Sequence, residues 1–289
     1  MSQKKFNLEI KSINFNFPLE SPTSKNLGYL HPIDWFTIEH KNDNLHEPGL
    51  VNLLFVLAEE FKNKKILFYD IGALYGYFSI LALKIFNDVE VFSIEANPYS
   101  CKYIENAKID SEFAKHQVIN TFLDKKTKGL LEKYIYGYRF LEKSEYNFVT
   151  FKNTIIQFLN LFFKKKYVVV KPEKVKINCS SLADIIINKS DSINILKIDT
   201  EGYQANFLPP VTQNLINNKA IILLEFDDIE ELKKFNSSNQ ELCAPFLRNN
   251  YKLYWLDHRI KGEKLESKKN VDISMEINSL ALLIPSEYC

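Results

Sequence analysis

The chain has few glycines and cysteines, and neither sign of charge dominates. Of its 289 residues only 8 are glycine and 4 are cysteine, and 37 basic residues nearly balance 36 acidic ones. The formal net charge of +1 gives no electrostatic case for binding nucleic acid. The four cysteines have no C-x-x-C spacing, so they predict reduced thiols rather than a zinc site or a disulfide framework.

Long apolar segments are also absent from the sequence. No apolar run reaches the ~20 residues that a membrane-spanning helix needs. The first residues, Met1–Phe6, lack the apolar core of a signal peptide, and we therefore expect a cytoplasmic location. Hydrophobic residues make up 46% of the chain, enough to fill the core of one large domain or of one domain with an insertion.

Two of the eight glycines lie in one short segment. The apolar run Ile66–Tyr69 leads into Asp70, Gly72 and Gly76 follow, and a helical pattern then begins at Phe78. This pattern predicts a strand, a tight turn and a helix. Asp70 would lie at the carboxyl end of the strand, where open α/β sheets bind ligands. A carboxylate there suits a positively charged ligand such as S-adenosylmethionine, which carries an ammonium and a sulfonium.

A second apolar run, Val89–Ile94, ends at Glu95. An acid about 20 residues after a glycine turn is the expected partner of ribose hydroxyls, although a plain strand-end charge is the alternative. Asn97, which follows, and Tyr77, which comes directly after the glycine turn, are further candidate cofactor contacts. Pro98 suits the first position of a helix. Asn120 ends the third predicted strand, and we expect it to face an adenine.

A third segment carries Lys197, Asp199 and Glu201 at alternate positions of an apolar strand. Such residues share one face of a strand, where charges are costly unless they pair or serve a site. The alternative interpretation is a buried Lys197–Asp199 ion pair that only holds the strand end.

The chain resembles the FkbM family of S-adenosylmethionine-dependent O-methyltransferases. The resemblance is carried by six segments in the order of the family: Phe68–Ala73 with Gly76, Phe92–Pro98, Ser181–Ile185, Leu196–Gly202, Ile221–Phe226 and Ser279–Pro285. The chain departs from the family pattern at Leu208–Pro210, where two prolines predict that the helix after Gly202 begins late or is kinked.

The resemblance implies transfer of a methyl group to a hydroxyl of a sugar or glycoconjugate. Asp199 and Glu201 are then candidates to deprotonate or orient that hydroxyl, and His258 is a third catalytic candidate. Glu225 is a candidate substrate contact, and Glu47 a candidate for the amino-acid end of the cofactor. No metal is predicted, because only two carboxylates are convincingly placed.

The implied fold is α/β, a doubly wound, mostly parallel seven-stranded sheet of the class I methyltransferase, Rossmann-like type. Residues 1–44 are interpreted as an N-terminal extension and residues 45–289 as the methyltransferase domain. The helix Gly49–Phe61 should precede the first strand. Strands are predicted at Ile66–Tyr69, Val89–Ile94, Gln117–Thr121, Ile193–Ile198, Ala220–Phe226, Lys252–Leu256 and Leu280–Ile284, the last two forming an antiparallel hairpin.

An aromatic-rich insertion spans about residues 128–176. Tyr134, Tyr136, Tyr138 and Phe140 alternate, as on one face of a strand. Three interpretations stay open: a lid that presents rings to a carbohydrate acceptor, a patch that contacts a membrane peripherally, or a small separate core or homodimer contact.

Two other functions remain as alternatives. One is a nicotinamide-dependent oxidoreductase of Rossmann type, opposed by Leu74 where the G-x-G-x-x-G fingerprint needs glycine. The other is a catalytically inactive methyltransferase-like binding protein, opposed by the intact acids Asp70, Glu95, Asp199 and Glu201.

Overall fold

The structure is a computed structural model. It describes residues 5–11, 13–18, 40, 45–107, 115–125, 129–136, 139–162, 172–187, 191–260, 264–271 and 279–289. Within these ranges no helix is both long enough and apolar enough to cross a bilayer. The four cysteines are all free, with Cys289 exposed and the other three buried.

An eight-stranded sheet forms the centre of the molecule. Its strands in spatial order are β13, β12, β14, β11, β10, β3, β4 and β5. Their bounds in chain order are β3 (Lys65–Ile71), β4 (Val89–Glu95), β5 (His116–Asn120), β10 (Ser192–Ile198), β11 (Ile221–Glu225), β12 (Tyr251–Leu256), β13 (Glu266–Lys268) and β14 (Leu280–Pro285). Neighbouring strands from β5 to β11 run parallel, and β14 is antiparallel to both β11 and β12.

This sheet confirms all seven predicted strands within one or two residues at each end. β12 and β14 form the expected antiparallel pair, with β14 lying between β11 and β12. The eighth strand, β13, is a short edge strand that pairs with β12. Its sequence has no apolar alternation, so the pattern of the chain did not predict it.

Helices cover both faces of the sheet, as a doubly wound fold requires. The described helices are α1 (Pro48–Glu60), α2 (Tyr77–Ile85), α3 (Pro98–Ala107), α4 (Lys143–Phe162), α5 (Gln204–Phe207), α6 (Thr212–Asn217), α7 (Ile229–Lys233) and α8 (Asn239–Leu247). The hydrophobic core accordingly consists of two clusters, one on each face of the sheet. Ile66 and Phe68 of β3 belong to the cluster that contains residues of α1 and α2, whereas Leu67 and Tyr69 belong to the cluster that contains residues of α6 and α8.

The chain after Gly202 is broken into short helical pieces. α5 has four residues, a 3₁₀ turn follows at Pro209–Val211, and α6 begins at Thr212. The kink predicted from Leu208–Pro210 is therefore confirmed, because proline cannot continue the hydrogen bonding of an α-helix.

The described part of the N-terminal extension is a hairpin of β1 (Lys5–Ile10) and β2 (Ile13–Pro18). Ile10 is buried in the same core cluster as α1 and α2, and the Lys11 ammonium lies 4.2 Å from the ring centre of Phe55 in α1. This hairpin therefore packs on the main domain.

The insertion adds a small second sheet and a long helix. Its four strands in spatial order are β6 (Phe122–Leu123), β9 (Glu173–Ser180), β7 (Gly129–Tyr136) and β8 (Arg139–Leu141), and α4 follows β8. The prediction of one strand through Phe140 is wrong. The chain reverses after Tyr136, and Arg139 of β8 pairs back onto Tyr136 of β7.

Candidate functional site

The glycines of the turn after β3 allow this turn to pack closely against neighbouring parts of the chain. Gly72, Leu74 and Gly76 all have positive φ, at 79°, 47° and 76°. A Cβ on Gly72 would lie 1.8 Å from the carbonyl oxygen of Asp199, so this glycine lets the turn pack against the end of β10. A Cβ on Gly76 would lie 3.2 Å from Ile104 of α3. On the side where a Cβ would lie, both glycines therefore approach protein atoms.

Asp70 is buried behind this turn. Its Oδ2 accepts hydrogen bonds from the backbone nitrogen of Ser79, at 3.0 Å, and from the Ser79 hydroxyl, at 2.7 Å. Its Oδ1 lies 3.7 Å from the Lys197 ammonium. Burial raises the pKa of Asp70, although the charge of Lys197 opposes the rise. Asp70 thus holds the first turn of α2 as well as bordering the site.

A chain of buried, hydrogen-bonded polar side chains leads away from Asp70. The Ser79 and Ser93 hydroxyls are 2.5 Å apart, and the Ser93 hydroxyl is 2.7 Å from Nε2 of His116. Because Ser93 lies on β4 and His116 on β5, this row connects the carboxylate of β3 to two further strands.

Glu95 joins the turns that follow β3 and β4. Its Oε2 accepts a hydrogen bond from the backbone nitrogen of Leu74, at 2.9 Å, and its Oε1 accepts one from that of Asn97, at 2.7 Å. Burial raises the pKa of Glu95 to about 7, although these hydrogen bonds lower it. The Asn97 side chain accepts from the backbone nitrogen of Tyr99, as an N-cap of α3 does.

Asn120 and Tyr77 are occupied by protein contacts. The Asn120 amide donates to the carbonyl oxygens of Glu95 and Ala96, each at 3.0 Å, so its nitrogen holds the turn after β4. Tyr77 is buried, and its ring centre lies 5.3 Å from that of His40 and 5.5 Å from that of His46.

Lys197 and Asp199 form the ion pair that the sequence left as an alternative. Lys197 is buried, and its ammonium donates to Oδ2 of the partly exposed Asp199 at 3.0 Å. Burial lowers the pKa of Lys197, but surrounding carboxylates outweigh it and raise the pKa above its ordinary value. Those carboxylates belong to Asp199, Asp70, Glu47 and Glu225.

Glu201 does not share the strand face predicted for it. β10 ends at Ile198, and Glu201 lies in the following turn with φ of 53°. The alternation of side chains between the two faces of the strand therefore ends before Glu201. Its side chain is exposed, whereas Asp199 remains beside the buried lysine.

Glu47, Glu225 and His258 come together beside this ion pair, each from a different element. Glu47 precedes α1, Glu225 ends β11, and His258 follows β12. All three are buried. The His258 Nε2 lies 3.6 Å from Oε1 of Glu47 and 3.7 Å from Oε1 of Glu225.

The two glutamates of this group have opposite pKa shifts. Burial raises the pKa of Glu225, and the negative charges of Asp199 and Glu47 raise it further. Burial also acts to raise the pKa of Glu47, but His258 and His46 outweigh it and hold the pKa well below its ordinary value. The Arg259 guanidinium lies 3.4 Å from Glu225, with its side chain half exposed.

The insertion borders the end of β10. Phe122 packs against Tyr203, with ring centres 4.7 Å apart, and the Tyr203 hydroxyl donates to Asp124 at 3.2 Å. Tyr134 stacks on Tyr146 of α4 at 3.9 Å. Tyr136 ends β7, and Tyr138 lies outside the described residues.

Three residues of this region were missed by the sequence interpretation: Ser79, Arg259 and Gly49. Gly49 donates its backbone N–H to the carbonyl of His258 at 2.8 Å, and an added Cβ would lie 2.9 Å from the His258 Cα. A glycine in the first turn of a predicted helix was a usable signal, because the chain has so few glycines. Ser79 and Arg259 carried no comparable signal.

Known structures resemble the chain only remotely. They include the FkbM methyltransferase from Methylobacillus flagellatus KT, at 12% identity and a TM-score of 0.41 over 76% of this chain and 43% of that one. A putative caffeoyl-CoA O-methyltransferase from Staphylococcus aureus is 11% identical, with a TM-score of 0.40 over 82% of each chain. TM-scores this low carry no argument about function. Among curated proteins no significant relative was found.

The family comparison is decisive, because it covers the glycine turn and every strand from there to β12. The model of the methyltransferase FkbM domain matches residues 70–253, more than half of the chain. The chain therefore belongs to the FkbM methyltransferase family, and its cofactor is S-adenosylmethionine.

Proposed function

We propose that the protein transfers a methyl group from S-adenosylmethionine to a hydroxyl of a sugar or glycoconjugate. Methyl transfer follows from the family. The choice of oxygen as acceptor and of a carbohydrate as substrate is our inference, supported by the group of residues at the end of β10 and by the resemblance stated from the sequence.

The residues present suit the cofactor. Asp70 Oδ1 is buried, and although the Lys197 ammonium lies 3.7 Å away, it has no hydrogen-bond partner among the residues that the structure describes, so it can accept a further donor. Glu95 ends β4 at the distance along the chain where ribose hydroxyls are bound. When bound, S-adenosylmethionine supplies an activated methyl group on a sulfonium, and the protein supplies alignment and a place for the proton.

The observation that carries the proposal is the arrangement of Asp199. Its carboxylate lies at the carboxyl end of β10, partly exposed, and the buried Lys197 ammonium holds it at 3.0 Å. The same carboxylate raises the pKa of the buried Glu225, by its charge and by a hydrogen bond, after the effect of burial itself. Asp199 is therefore oriented by a buried cation and lies beside Glu225, a buried carboxyl group whose pKa is raised.

A fixed, ionised carboxylate is suited to accept a proton from a hydroxyl. A sugar hydroxyl is a weak acid, and a positioned base contributes about 10²–10⁴-fold to such a reaction. Asp199 would take the proton of the acceptor hydroxyl and pass it to solvent, as that oxygen gains the methyl group whose bond to the sulfonium sulfur breaks. An amine or thiol acceptor has less need of such a base.

The acceptor is proposed to bind between Asp199 and the insertion. The small sheet of the insertion reaches the turn after β10 through Phe122 and Tyr203. Tyr136 is partly exposed, and so is Tyr134, although one face of the Tyr134 ring is covered by Tyr146. The remaining apolar ring faces and their hydroxyl groups suit a sugar ring.

The test is transfer of a labelled methyl group from S-adenosylmethionine to a panel of sugars, glycolipids, amines and carboxylic acids. The expected product is a methyl ether on a carbohydrate, which resists alkali. A label released by alkali would indicate a methyl ester. A label on nitrogen would likewise contradict O-methylation. Binding of a nicotinamide dinucleotide in place of S-adenosylmethionine would contradict the whole assignment.

A further inference from the structure

Glu47, Glu225 and His258 have the geometry of a metal site. One ligand atom from each residue can be chosen so that all three lie within 4.8 Å of one another. The distances from His258 Nε2 to the two carboxylates, 3.6 and 3.7 Å, are close to the ~3.4 Å between ligand atoms around a tetrahedral ion with bonds of about 2.1 Å. These two distances would need to shorten by only a few tenths of an ångström, and the two carboxylate oxygens lie within 4.8 Å of each other.

The imidazole of His258 gives the second, independent observation. His258 is fully buried, and neither ring nitrogen has a hydrogen-bond partner among the residues that the structure describes. Leaving a buried polar group unpaired costs free energy, so such a group calls for another explanation. Its Nε2 is directed between two buried carboxylates, which is how an imidazole ligand faces a cation.

The backbone holds the three residues in place. Glu225 and Leu256 both pair with Leu280 of β14, so the register of the sheet brings the ends of β11 and β12 to the same edge. Gly49 then fixes the start of α1 to His258 by its hydrogen bond at 2.8 Å. Glu47 itself has a left-handed backbone, with φ of 46°, and such strain is concentrated at functional sites.

The charges around the group also leave room for a cation. Four carboxyl groups lie close enough to act on Lys197. Lys197 and Arg259 are the lysine and arginine side chains paired with them. Arg259 is half exposed, so its guanidinium can move toward solvent.

We infer that Glu47, Glu225 and His258 bind one divalent transition-metal ion of the Mn²⁺, Co²⁺ or Zn²⁺ class. An imidazole with two carboxylates favours these ions over Mg²⁺, which prefers oxygen ligands and retains its water. Three protein ligands leave at least one coordination position open. This inference revises the expectation of no metal, which counted Asp199 and Glu201 and did not bring Glu47 and Glu225 to His258.

The test is titration of chelator-treated protein with MnCl₂, followed by electron paramagnetic resonance, and with CoCl₂, followed by visible absorption. We expect one saturable site per chain, cobalt bands of four- or five-fold coordination, and much weaker competition by MgCl₂. Glu225→Gln and His258→Gln should each weaken Mn²⁺ binding by roughly 10-fold or more. Glu287→Gln, which removes a surface ion pair with Lys219, is the control and should bind as the unmodified protein does.

Circular dichroism in the absence of metal separates folding from binding. If His258→Gln does not fold, Glu225→Gln and Glu47→Gln decide the question. The inference fails if the unmodified protein shows no saturable Mn²⁺ site at millimolar concentration. It also fails if folded variants bind Mn²⁺ unchanged, or if they lose only S-adenosylmethionine affinity, which would assign these carboxylates to the cofactor's ammonium. Metal binding is measured without acceptor, so this result is independent of the proposed reaction.

Discussion

Glu95 is the residue on which cofactor affinity is expected to depend most directly. Both of its oxygens are oriented by backbone N–H groups, from Leu74 and Asn97. Glu95→Ala should weaken S-adenosylmethionine binding by about 1–3 kcal/mol, because charge-assisted hydrogen bonds to the ribose are lost. Calorimetry measures the change. Glu90→Ala, at the other end of β4, is the control, and equal affinities in the two variants would remove Glu95 from the cofactor site.

Asp199 is expected to act on turnover rather than on cofactor affinity. Asp199→Asn keeps the shape of the side chain and removes the charge. We expect turnover to fall by roughly 10²–10⁴-fold while cofactor affinity changes by only a few-fold. Single-turnover kinetics with the identified acceptor measures the first quantity, and calorimetry the second.

The control for Asp199→Asn is Asp88→Asn, which breaks a surface ion pair with Lys115. If Asp199→Asn unfolds the protein instead, the pair with Lys197 is mainly structural, because removing one partner leaves a buried charge uncompensated.

The candidate site could be predicted from sequence only where each residue ends a strand. Asp70, Glu95, Asp199 and Glu225 were found because polar residues follow apolar runs at the edge where parallel strands meet. The proximity of His258 and Glu47 depends on Gly49 packing against the His258 backbone, a tertiary contact without a local pattern. Ser79 was missed for the same reason, since only the packing of α2 on β3 brings it to Asp70.

At the scale of elements, the contact between the turn after β3 and the end of β10 has no space for a side chain. Gly72→Ala would place a Cβ 1.8 Å from the Asp199 carbonyl oxygen at a φ of 79°. We expect the free energy of unfolding to fall by about 2–6 kcal/mol, from backbone strain and overpacking together. Urea denaturation measures it.

Gly129→Ala is the matched control, because nothing lies within 4 Å of the Cβ it adds. Its effect should be within about 0.5 kcal/mol. Equal losses in the two variants would show that the turn after β3 relaxes. Gly76→Val should also impair cofactor binding, but through strain at a φ of 76° and contact with Ile104 rather than by filling the ligand's place.

The insertion is expected to choose the acceptor and to leave the cofactor unaffected. Replacing residues 130–170 with a short Gly/Ser link removes β7, β8 and α4, while β9 keeps its pairing with β6 and Thr121 keeps its hydrogen bond to the Asn178 carbonyl. Affinity for S-adenosylmethionine should change by only a few-fold, and transfer to the acceptor should be lost. Loss of cofactor binding in a folded variant would contradict this separation.

Phe148→Ser combined with Phe151→Ser is the control for that deletion. Both rings are exposed on α4, at 67% and 65%, so the variant should fold and continue to transfer methyl groups. Transfer lost in this variant, together with a changed oligomeric state, would instead make α4 an assembly surface.

The strands of the main sheet were predictable because each is an apolar run between turn residues. The boundary of β7 and β8 was not, because alternating tyrosines continue across the chain reversal and a period of two does not distinguish one strand from two. β13 was missed because it joins the sheet by backbone pairing at an edge, which needs no apolar pattern.

At the scale of the whole molecule, the formal charge is close to neutral, yet several carboxyl groups are clustered around Lys197. The net charge of +1 is an average over the chain, whereas four carboxylates lie close enough to act on Lys197. No property of composition predicts this, because the acids are separated by up to 178 positions between Glu47 and Glu225 and only the fold gathers them. The folded protein therefore holds carboxyl groups whose pKa values differ from those of the unfolded chain.

Glu95 makes stability depend on pH in a direction that can be tested. Its pKa is raised by burial from an ordinary 4.5 to about 7, so between these values the folded state binds a proton that the unfolded chain releases. Unfolding free energy therefore falls as pH rises through this window, and the contribution of Glu95 is lost above about pH 7. Glu95→Gln cannot titrate. The unfolding free energy of the unmodified protein minus that of Glu95→Gln should fall by about 1–3 kcal/mol between pH 5 and pH 8, measured by urea denaturation without cofactor. A difference that stays constant, or rises, would show that Glu95 ionises in the folded protein as it does in the unfolded chain.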